Sequence, residues 1–307
     1  MKARSRNILP KTKSIAGKHN VDLAIPNCEG SGIGNAIVYT RLVEEFALSV
    51  GRPIKIMTGP LSPSIGLVDK EDQFAIWKNN PFVASIINAQ EHDPSDLETI
   101  NKERLSLIQL NHVIENICWA YDVKPRELRC SLFLSRNEMI WALNALKNIP
   151  RPLICLHPGG NTKSVNGSPW YEKNWAEIIN YFKGKAGFVQ VGSVTLGDYN
   201  LDLVNPGKYL RDMMAIIWAA DIFIGFDSCP MHVATAFRKP VVSLFDMRRK
   251  LEAESKYNAL MIPSVMLRWS YPINRNIAIM ENDIQNHSLS LVIDEINTQI
   301  EKLTYSP

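Results

Sequence analysis

The chain has 307 residues, of which 46% are hydrophobic and 21% are charged, and its formal net charge is +3. These values are typical of a globular enzyme with room for two domains, and they exclude a disordered or fibrous protein and give no sign of nucleic-acid binding. Five scattered cysteines without a CxxC pair, and no apolar run near the roughly 18 residues of a membrane span, predict a cytoplasmic protein without disulfides or a zinc site.

The first 19 residues form a basic segment with six lysines and arginines and no acid. This pattern predicts a solvated, partly disordered arm. The alternative is an electrostatic tether to an anionic membrane or a nucleic acid, which would place the protein at the periphery of the inner membrane. The segment lacks interleaved aromatic residues and a helical apolar face, which weakens the second interpretation.

Strand and helix patterns alternate through the first half of the chain. The predicted strands are 21–25, 54–57 and 84–88. The predicted helices are 36–50, 74–79, 105–121 and 139–148. Ser135 and Glu138 have the spacing of a capping box at the start of the last of these helices.

A second series of alternating patterns follows the two prolines of residues 149–152, which predict a linker. The predicted strands are 153–156, 188–191, 221–226 and 241–245. The predicted helices are 172–182, 211–218, 231–237 and an amphipathic one at 289–303, expected to complete the second domain or to pack back on the first. The two series predict an α/β protein with doubly wound, Rossmann-like domains at 1–150 and 151–307.

The segment 221–234 carries the strongest functional signal. An apolar strand pattern ends in small and polar residues, and Pro230 then opens a helical pattern. A strand-turn-helix of this kind is expected to leave backbone N–H groups unpaired at Ser228, Cys229, Met231 and His232. Such groups can bind an anion such as a diphosphate, although parallel α/β proteins also use the same turn for purely structural reasons.

Motifs in the second half of the chain occur in the order of a known family. They are Leu156-His157-Pro158-Gly159-Gly160, Trp170 with Trp175, Val191-Gly192-Ser193, and the segments 227–234 and 239–245. This order resembles the C-terminal domain of the ADP-heptose heptosyltransferases of glycosyltransferase family 9, and segments 32–35 and 80–83 resemble its N-terminal domain more weakly. The resemblance implies a GT-B fold of two facing Rossmann-like domains, with the nucleotide sugar on the second and the acceptor on the first. It also implies an enzyme that needs neither a metal nor another cofactor.

The resemblance assigns roles to the turn at 227–232. Ser228, Cys229 and Met231 are expected to contact the donor diphosphate chiefly through their backbone. Because the carboxylate of Asp227 would repel a diphosphate, it is expected to cap the turn or to accept hydrogen bonds from sugar hydroxyls. His232 is expected either to donate to a phosphate or to be a buried histidine satisfied within the fold.

Neighbouring segments supply further candidates for the donor site. They are His157, Gly159, Gly160, Gly192, Ser193 and Asp212. The histidine has the same two expectations as His232. The glycines allow close backbone approach to the donor or serve tight turns. The aspartate is expected either near the ribose or as a favourable charge at a helix N-terminus.

Two positions depart from the family pattern. The presumed general base of the family is an Asp where this chain has Asn35, and a neutral amide can orient a hydroxyl but cannot take its proton. Glu29 in the same loop is either the substitute or an ordinary solvated loop charge, and the remoter options are Glu91, Asp93 and Asp96. Ser168 stands where the family commonly has a lysine, so Lys163 is expected to neutralise the diphosphate. The basic run 248–250 is expected either to contact a phosphate or the acceptor, or to be a solvated face.

The leading interpretation is an inverting glycosyltransferase. An acceptor hydroxyl, activated by Glu29 or oriented by Asn35, would attack the anomeric carbon of a nucleotide-diphosphate sugar, which is ADP-heptose by the resemblance. The expected acceptor is a glycan, the lipopolysaccharide core, a lipid-linked sugar or a protein side chain. A catalytically silent sugar-nucleotide-binding scaffold and a nucleotide-sugar epimerase remain as alternatives, whereas the glycines of 30–34 lack the GxGxxG spacing of a dehydrogenase.

Overall fold

The computed structural model describes residues 9–26, 32–61, 68–69, 71–105, 111–159, 169–192, 201–246, 262–279 and 287–305. The chain forms two compact units, with unit 1 ending at Phe133 and unit 2 beginning at Leu134. The proline-rich segment 149–152, predicted as a linker, therefore lies within unit 2.

Unit 1 contains a parallel sheet with the strand order β1-β2-β3. Its strands are β1 (Leu23–Ala24), β2 (Ile54–Thr58) and β3 (Val83–Asn88). Its helices in the described residues are α1 (Pro10–Lys18), α2 (Ile33–Ile37), α3 (Tyr39–Val50), α4 (Pro94–Leu105) and α5 (Val113–Ala120). The helix predicted at 36–50 is thus divided at Val38, and Gly51 ends α3 with the left-handed φ of 72° that glycine tolerates best.

Helix α1 corrects the prediction that the basic N-terminal segment is a disordered arm. Ile15 and Ala16 are buried in a cluster with Leu97 and Ile100 of α4. The carboxylate of Glu103 on α4 accepts hydrogen bonds from the first backbone N–H groups of α1, those of residues 11 and 12, at 2.9 and 2.7 Å. These apolar and capping contacts fix residues 10–18 on unit 1, while residues 1–8 lie outside the described residues.

Two lysines of α1 are also engaged with acids of unit 1. Lys18 lies 2.8 Å from Asp96 and 3.1 Å from Asp93, and Lys13 lies 2.5 Å from Asp122. A polyanion would have to compete with these carboxylates. The structure therefore offers no support, in the described part of the segment, for the alternative of an electrostatic tether.

Unit 2 contains a six-stranded parallel sheet with the order β6-β5-β4-β7-β8-β9. Its strands are β4 (Leu153–His157), β5 (Gly187–Gln190), β6 (Leu203–Val204), β7 (Ile222–Phe226), β8 (Val241–Asp246) and β9 (Arg275–Ile279). Its helices in the described residues are α6 (Arg136–Leu146), α7 (Pro169–Phe182), α8 (Leu210–Ala219), α9 (Cys229–Ala236), α10 (Ile262–Trp269) and α11 (His287–Tyr305). Numbered within the unit, the strand order is 3-2-1-4-5-6, which is the order of a doubly wound dinucleotide-binding domain.

Buried side chains from helices on this sheet form the core of unit 2. Trp175 and Phe182 of α7 pack in one cluster with Val292 and Ile296 of α11 and with the sheet residues. The last helix therefore contributes to the core of unit 2. Strands β6 and β9 and helix α10 were not predicted from the sequence, and β6 spans only two residues.

An ion pair joins α6 to α8. The Nε and Nη2 atoms of Arg211 donate to the two carboxylate oxygens of Glu138, each at 2.7 Å. The same carboxylate accepts from the backbone N–H of Ser135, while the hydroxyl of Ser135 accepts from the N–H of Glu138, so the predicted capping box is confirmed. Helix α6 is thereby fixed in orientation on the surface of unit 2.

Candidate functional site

The candidate site lies at the point where the strand order of unit 2 reverses. Strands β4 and β7 are neighbours there, with His157 paired in register with Gly225. The connection after β4 and the connection after β7 leave the sheet at its carboxyl edge. In open parallel sheets this crevice is the place where nucleotides bind.

His157 and Ser228 are connected across this point. The Nδ1 atom of His157 lies 3.0 Å from Oγ of Ser228, which in turn lies 3.0 Å from the carbonyl oxygen of Phe226. A hydroxyl has one proton, so both contacts are satisfied when Nδ1–H donates to Oγ and the hydroxyl donates to the carbonyl. Burial lowers the pKa of His157 to about 4, so the ring is neutral near pH 7.

Two glycines make room for the His157 ring. A Cβ atom on Gly192 would lie 2.6 Å from Cδ2 of His157, and one on Gly225 would lie 2.9 Å from its Cβ. Gly192 also has a φ of 103°, which other residues rarely adopt. Its carbonyl oxygen accepts a hydrogen bond from Nδ2 of Asn205 at 2.8 Å, which ties the segment after β5 to the segment after β6.

The start of α9 corrects the predicted set of unpaired N–H groups. The N–H groups of Met231 and His232 both donate to the carbonyl oxygen of Ser228, at 3.1 and 3.4 Å, so they are satisfied within the first turn of the helix. Ser228 itself is extended, with φ −167° and ψ 174°. Its N–H group has no partner in the described part of the chain. The predicted anion-binding set of unpaired N–H groups therefore loses Met231 and His232 and retains Ser228.

Asp227 has a backbone role at the end of β7. Its N–H donates to the carbonyl oxygen of Leu244 at 3.0 Å and so extends the pairing of β7 with β8. This contact places the half-buried Asp227 at the carboxyl edge beside Ser228.

His232 is buried and has a partner within the fold. Its Nδ1 atom lies 2.7 Å from Oη of the fully buried Tyr271, and its ring lies 5.7 Å from that of Trp269. Of the two expectations for this histidine, the contact with Tyr271 supports the structural one.

Asp212 caps helix α8. Its Oδ2 atom accepts from the backbone N–H groups of Lys208 and Tyr209, at 2.9 and 3.0 Å. The carboxylate thus stabilises the N-terminus of a helix, which is the structural alternative of the two roles considered for it.

Asn35 lies in the first turns of α2 in unit 1. It is half-buried, and its N–H donates to the carbonyl oxygen of Gly32 at 3.0 Å. The remoter substitutes for a base are engaged elsewhere: Glu91 accepts from Asn88, and hydrogen bonds from Ser95 and Lys18 lower the pKa of Asp93 to about 2. Asp96 contacts Lys18 and, at 2.6 Å, His19.

Several predicted residues lie outside the described part of the chain. They are Glu29, Gly160, Lys163, Ser193 and the basic run 248–250. Within the described ranges, no cluster of three His, Cys, Asp or Glu residues could hold a metal ion. The helices of those ranges are also too short or too polar to cross a membrane.

Two residues of the site were missed from the sequence. Gly225 interrupts the apolar strand pattern of β7, and a glycine inside a strand signals close approach of another group, here His157. Asn205 has a φ of 44°, a conformation that Asn adopts more readily than most residues, and no motif marked it.

Residues 202–288 match a family model described as glycosyltransferase family 9 (heptosyltransferase). The match begins just before β6 and includes α8, β7, α9 and β8. Among curated proteins, no sequence matches the chain significantly.

Solved structures of similar fold cover most of the chain. The glycosyltransferase family 9 protein of Veillonella parvula DSM 2008 has 13% identity and a TM-score of 0.64, over 91% of this chain and 96% of its own. The ADP-heptose LPS heptosyltransferase II of E. coli has 15% identity and a TM-score of 0.60, over 92% and 98%. E. coli heptosyltransferase WaaC, solved with ADP, has 11% identity and a TM-score of 0.53, over 90% and 98%. This likeness confirms the predicted α/β fold of the GT-B class.

Proposed function

We propose that this chain belongs to glycosyltransferase family 9 and transfers a sugar, with inversion, from a nucleoside-diphosphate donor to a hydroxyl group. The matched segment and the fold support this proposal. The observation that carries the proposal is the pairing of His157 with Ser228 at the strand-order reversal of unit 2. The donor binds at that edge, against the extended backbone of Ser228.

The chemistry of this edge suits a departing diphosphate. Negative charge develops on the leaving group in the transition state, and preorganised N–H donors stabilise it without rearrangement. The N–H of Ser228 is such a donor, and its position is fixed because the hydroxyl of the same residue is held by His157 and Phe226. Gly192 lets the segment after β5 approach His157 and Gly159 closely at this edge, and Lys163 supplies positive charge.

ADP-heptose is the first donor to test. A solved relative is named an ADP-heptose LPS heptosyltransferase, and another was solved with ADP. The acceptor is a hydroxyl of the lipopolysaccharide core, of another glycan, of a lipid-linked sugar or of a protein. Glu29 acts as the base, and Asn35 orients the acceptor hydroxyl.

A catalytically silent donor-binding protein is the second candidate. Asn35 favours it, because an amide occupies the position of the family's presumed base. This protein would bind the same nucleotide at the same edge but would not break the bond between sugar and phosphate.

A nucleotide panel followed by a transfer assay tests both candidates. At 100 times its dissociation constant, a ligand adds about 2.7 kcal/mol of stability, which raises the melting temperature by about 5 °C or more. ADP and ADP-heptose should stabilise the parent protein, and a Ser228→Ala variant, which lacks the hydroxyl that holds the N–H in position, should respond less. Binding without transfer or hydrolysis in a panel of acceptors would favour the silent protein. Failure of all nucleotide diphosphates to bind would refute both candidates.

A further inference from the structure

Helix α6 presents an apolar face to solvent. Ile140, Trp141 and Leu143 are 46%, 36% and 47% exposed, so three large apolar side chains face solvent within four positions of the helix. Single exposed apolar residues are ordinary on protein surfaces, whereas a cluster indicates a contact site. The opposite side of α6 is buried through Ala142 and Leu146.

The exposed residues of α6 and of the two positions that follow it form two rows. The first row is Arg136, Ile140, Leu143 and Lys147, and the second is Asn137, Trp141, Asn144 and Asn148. Members of a row are three or four positions apart and so lie on one face. A cation therefore stands at each end of the aliphatic pair, about 16 Å apart along the helix axis.

The charge on this face is positive only. Glu138 is the one acid of residues 136–148, and it lies on the inward side, where Arg211 and Ser135 hold it. Within the described ranges, neither Arg136 nor Lys147 has a carboxylate partner. The two cations are thus available to an external anion.

We propose that this face of α6 binds the surface of an anionic phospholipid bilayer. Ile140 and Leu143 enter the boundary between headgroups and acyl chains, and Trp141 lies at the headgroup level, where its ring and its N–H are both accommodated. Arg136 and Lys147 contact phosphate headgroups. The contact is independent of sugar transfer, and it uses residues other than those of the basic N-terminal segment that the sequence suggested for a membrane contact.

A bilayer fits this face better than a folded protein partner. Stable protein interfaces cover about 800 Å² on each partner and centre on a pocket or a complementary groove. A single convex helix with two rows of side chains offers less than that. A lipid surface makes no demand on shape, and its negative charge matches the two cations.

Co-sedimentation of the full chain with vesicles tests the proposal. The vesicles contain phosphatidylcholine alone or equal parts of phosphatidylcholine and phosphatidylglycerol. Binding to the mixed vesicles is expected at about 0.1 M salt, where the Debye length is about 10 Å, and should be lost near 1 M, where it is about 3 Å. Equal binding to both vesicles, or none to either, would overturn the proposal.

Matched variants separate the two parts of the face. Ile140→Ser with Leu143→Ser should weaken vesicle binding about tenfold or more, whereas Leu267→Ser, at a 56% exposed leucine of α10, should not. Arg136→Gln with Lys147→Gln should also weaken it, by about 25-fold, since each cation near an anionic surface contributes about fivefold. The control with the same loss of charge is Lys124→Gln with Lys183→Gln. Variants of α6 that sediment like the parent would refute the assignment.

Fluorescence and hydrodynamics complete the test. The parent should show a blue shift of tryptophan emission with the mixed vesicles, and Trp141→Phe should bind but lose most of that shift. Sedimentation velocity without lipid tests whether a second copy of the chain, and not a bilayer, covers this face of α6. A dimer of the parent that Ile140→Ser with Leu143→Ser converts to a monomer would assign the face to self-association and overturn the lipid proposal.

Discussion

His157 and Ser228 lie 71 positions apart in sequence, and their side chains are 3.0 Å apart at the carboxyl edge of unit 2. Each residue ends or follows one of the two strands between which the strand order reverses. The hydrogen bond therefore fixes the distance between the two connections that border the proposed donor site. It does so without adding charge, because burial lowers the pKa of the His157 ring to about 4.

Replacement of His157 tests this relationship directly. His157→Asn retains an N–H near the position of Nδ1, whereas His157→Leu does not. The leucine variant should lose about 1 kcal/mol of the coupling to Ser228 and bind ADP about fivefold more weakly than the asparagine variant. The measurement is a double-mutant cycle of ADP binding with Ser228→Ala. A coupling energy near zero would show that the contact does not position Ser228.

Gly192→Ala should destabilise unit 2. The new Cβ would lie 2.6 Å from Cδ2 of the His157 ring, and the φ of 103° is strained for any residue with a side chain. A loss of about 2–3 kcal/mol in unfolding free energy is expected, together with weaker nucleotide binding. Gly17→Ala in α1 is the matched control, because no atom lies within 4 Å of its Cβ position. That control should raise stability by about 0.5–1 kcal/mol in a urea titration, as for other helical glycines.

The ion pair of Glu138 with Arg211 predicts a pH dependence of stability. Burial alone would raise the pKa of Glu138, but the hydrogen bonds from Arg211 and Ser135 outweigh it and lower the pKa from 4.5 to about 2. Because the folded pKa lies below the unfolded one, the pair stabilises fully above about pH 4.5 and progressively less toward pH 2. Urea unfolding from pH 7 to pH 3 should show this loss.

The variant Glu138→Gln provides the comparison for that titration. It should cost about 3 kcal/mol at pH 7, since it leaves the buried guanidinium of Arg211 without its counter-charge. Its unfolding free energy should fall less than that of the parent between pH 4.5 and pH 3. Parallel pH curves for the two proteins would contradict the assignment of the lowered pKa.

The contact of Glu103 with α1 predicts that the N-terminal segment is a stable part of unit 1. Glu103→Ala removes the acceptor for the N–H groups of residues 11 and 12 and should cost about 1–2 kcal/mol. Amide hydrogen exchange in residues 10–18 should become faster. Glu98→Ala on the same helix is the control, because its pair with Lys102 is solvent-exposed and should contribute little to stability. If amide hydrogen exchange in residues 10–18 were as fast in the parent as in Glu103→Ala, the interpretation of this segment as a disordered arm would be favoured instead.

The strands around the site could be predicted because local signals agree there. The apolar run of β4 ends in His157, and that of β7 ends in the turn before Pro230. In unit 1, Gly51 marks the end of α3 in the same way. The two-residue strand β6 carries no usable period and was missed, whereas the two-residue strand β1 lies within the run predicted at 21–25.

Contacts between distant segments explain the remaining differences. Helix α1 looks like a charged tail in sequence because Ile15 and Ala16 reveal their role only against α4, more than 80 positions later. The N–H groups of Met231 and His232 were expected to be free, but the extended Ser228 directs its own carbonyl oxygen toward them. Sequence spacing does not report which carbonyl a first helical turn will use.

Glu29 and Asn35 give the sharpest test of catalysis. If Glu29 takes the proton of the acceptor hydroxyl, Glu29→Gln should lower the rate of transfer about 10²–10⁴-fold while ADP binding stays unchanged. Asn35→Asp on that background supplies a carboxylate in α2, at the position where the resemblance implies a base, and should restore part of the rate. A pH profile distinguishes the two acids, because the rescued variant should follow the pKa of the introduced carboxyl group and not that of Glu29. A parent and an Asn35→Asp variant that are both inactive with every nucleotide sugar would instead support the silent donor-binding protein.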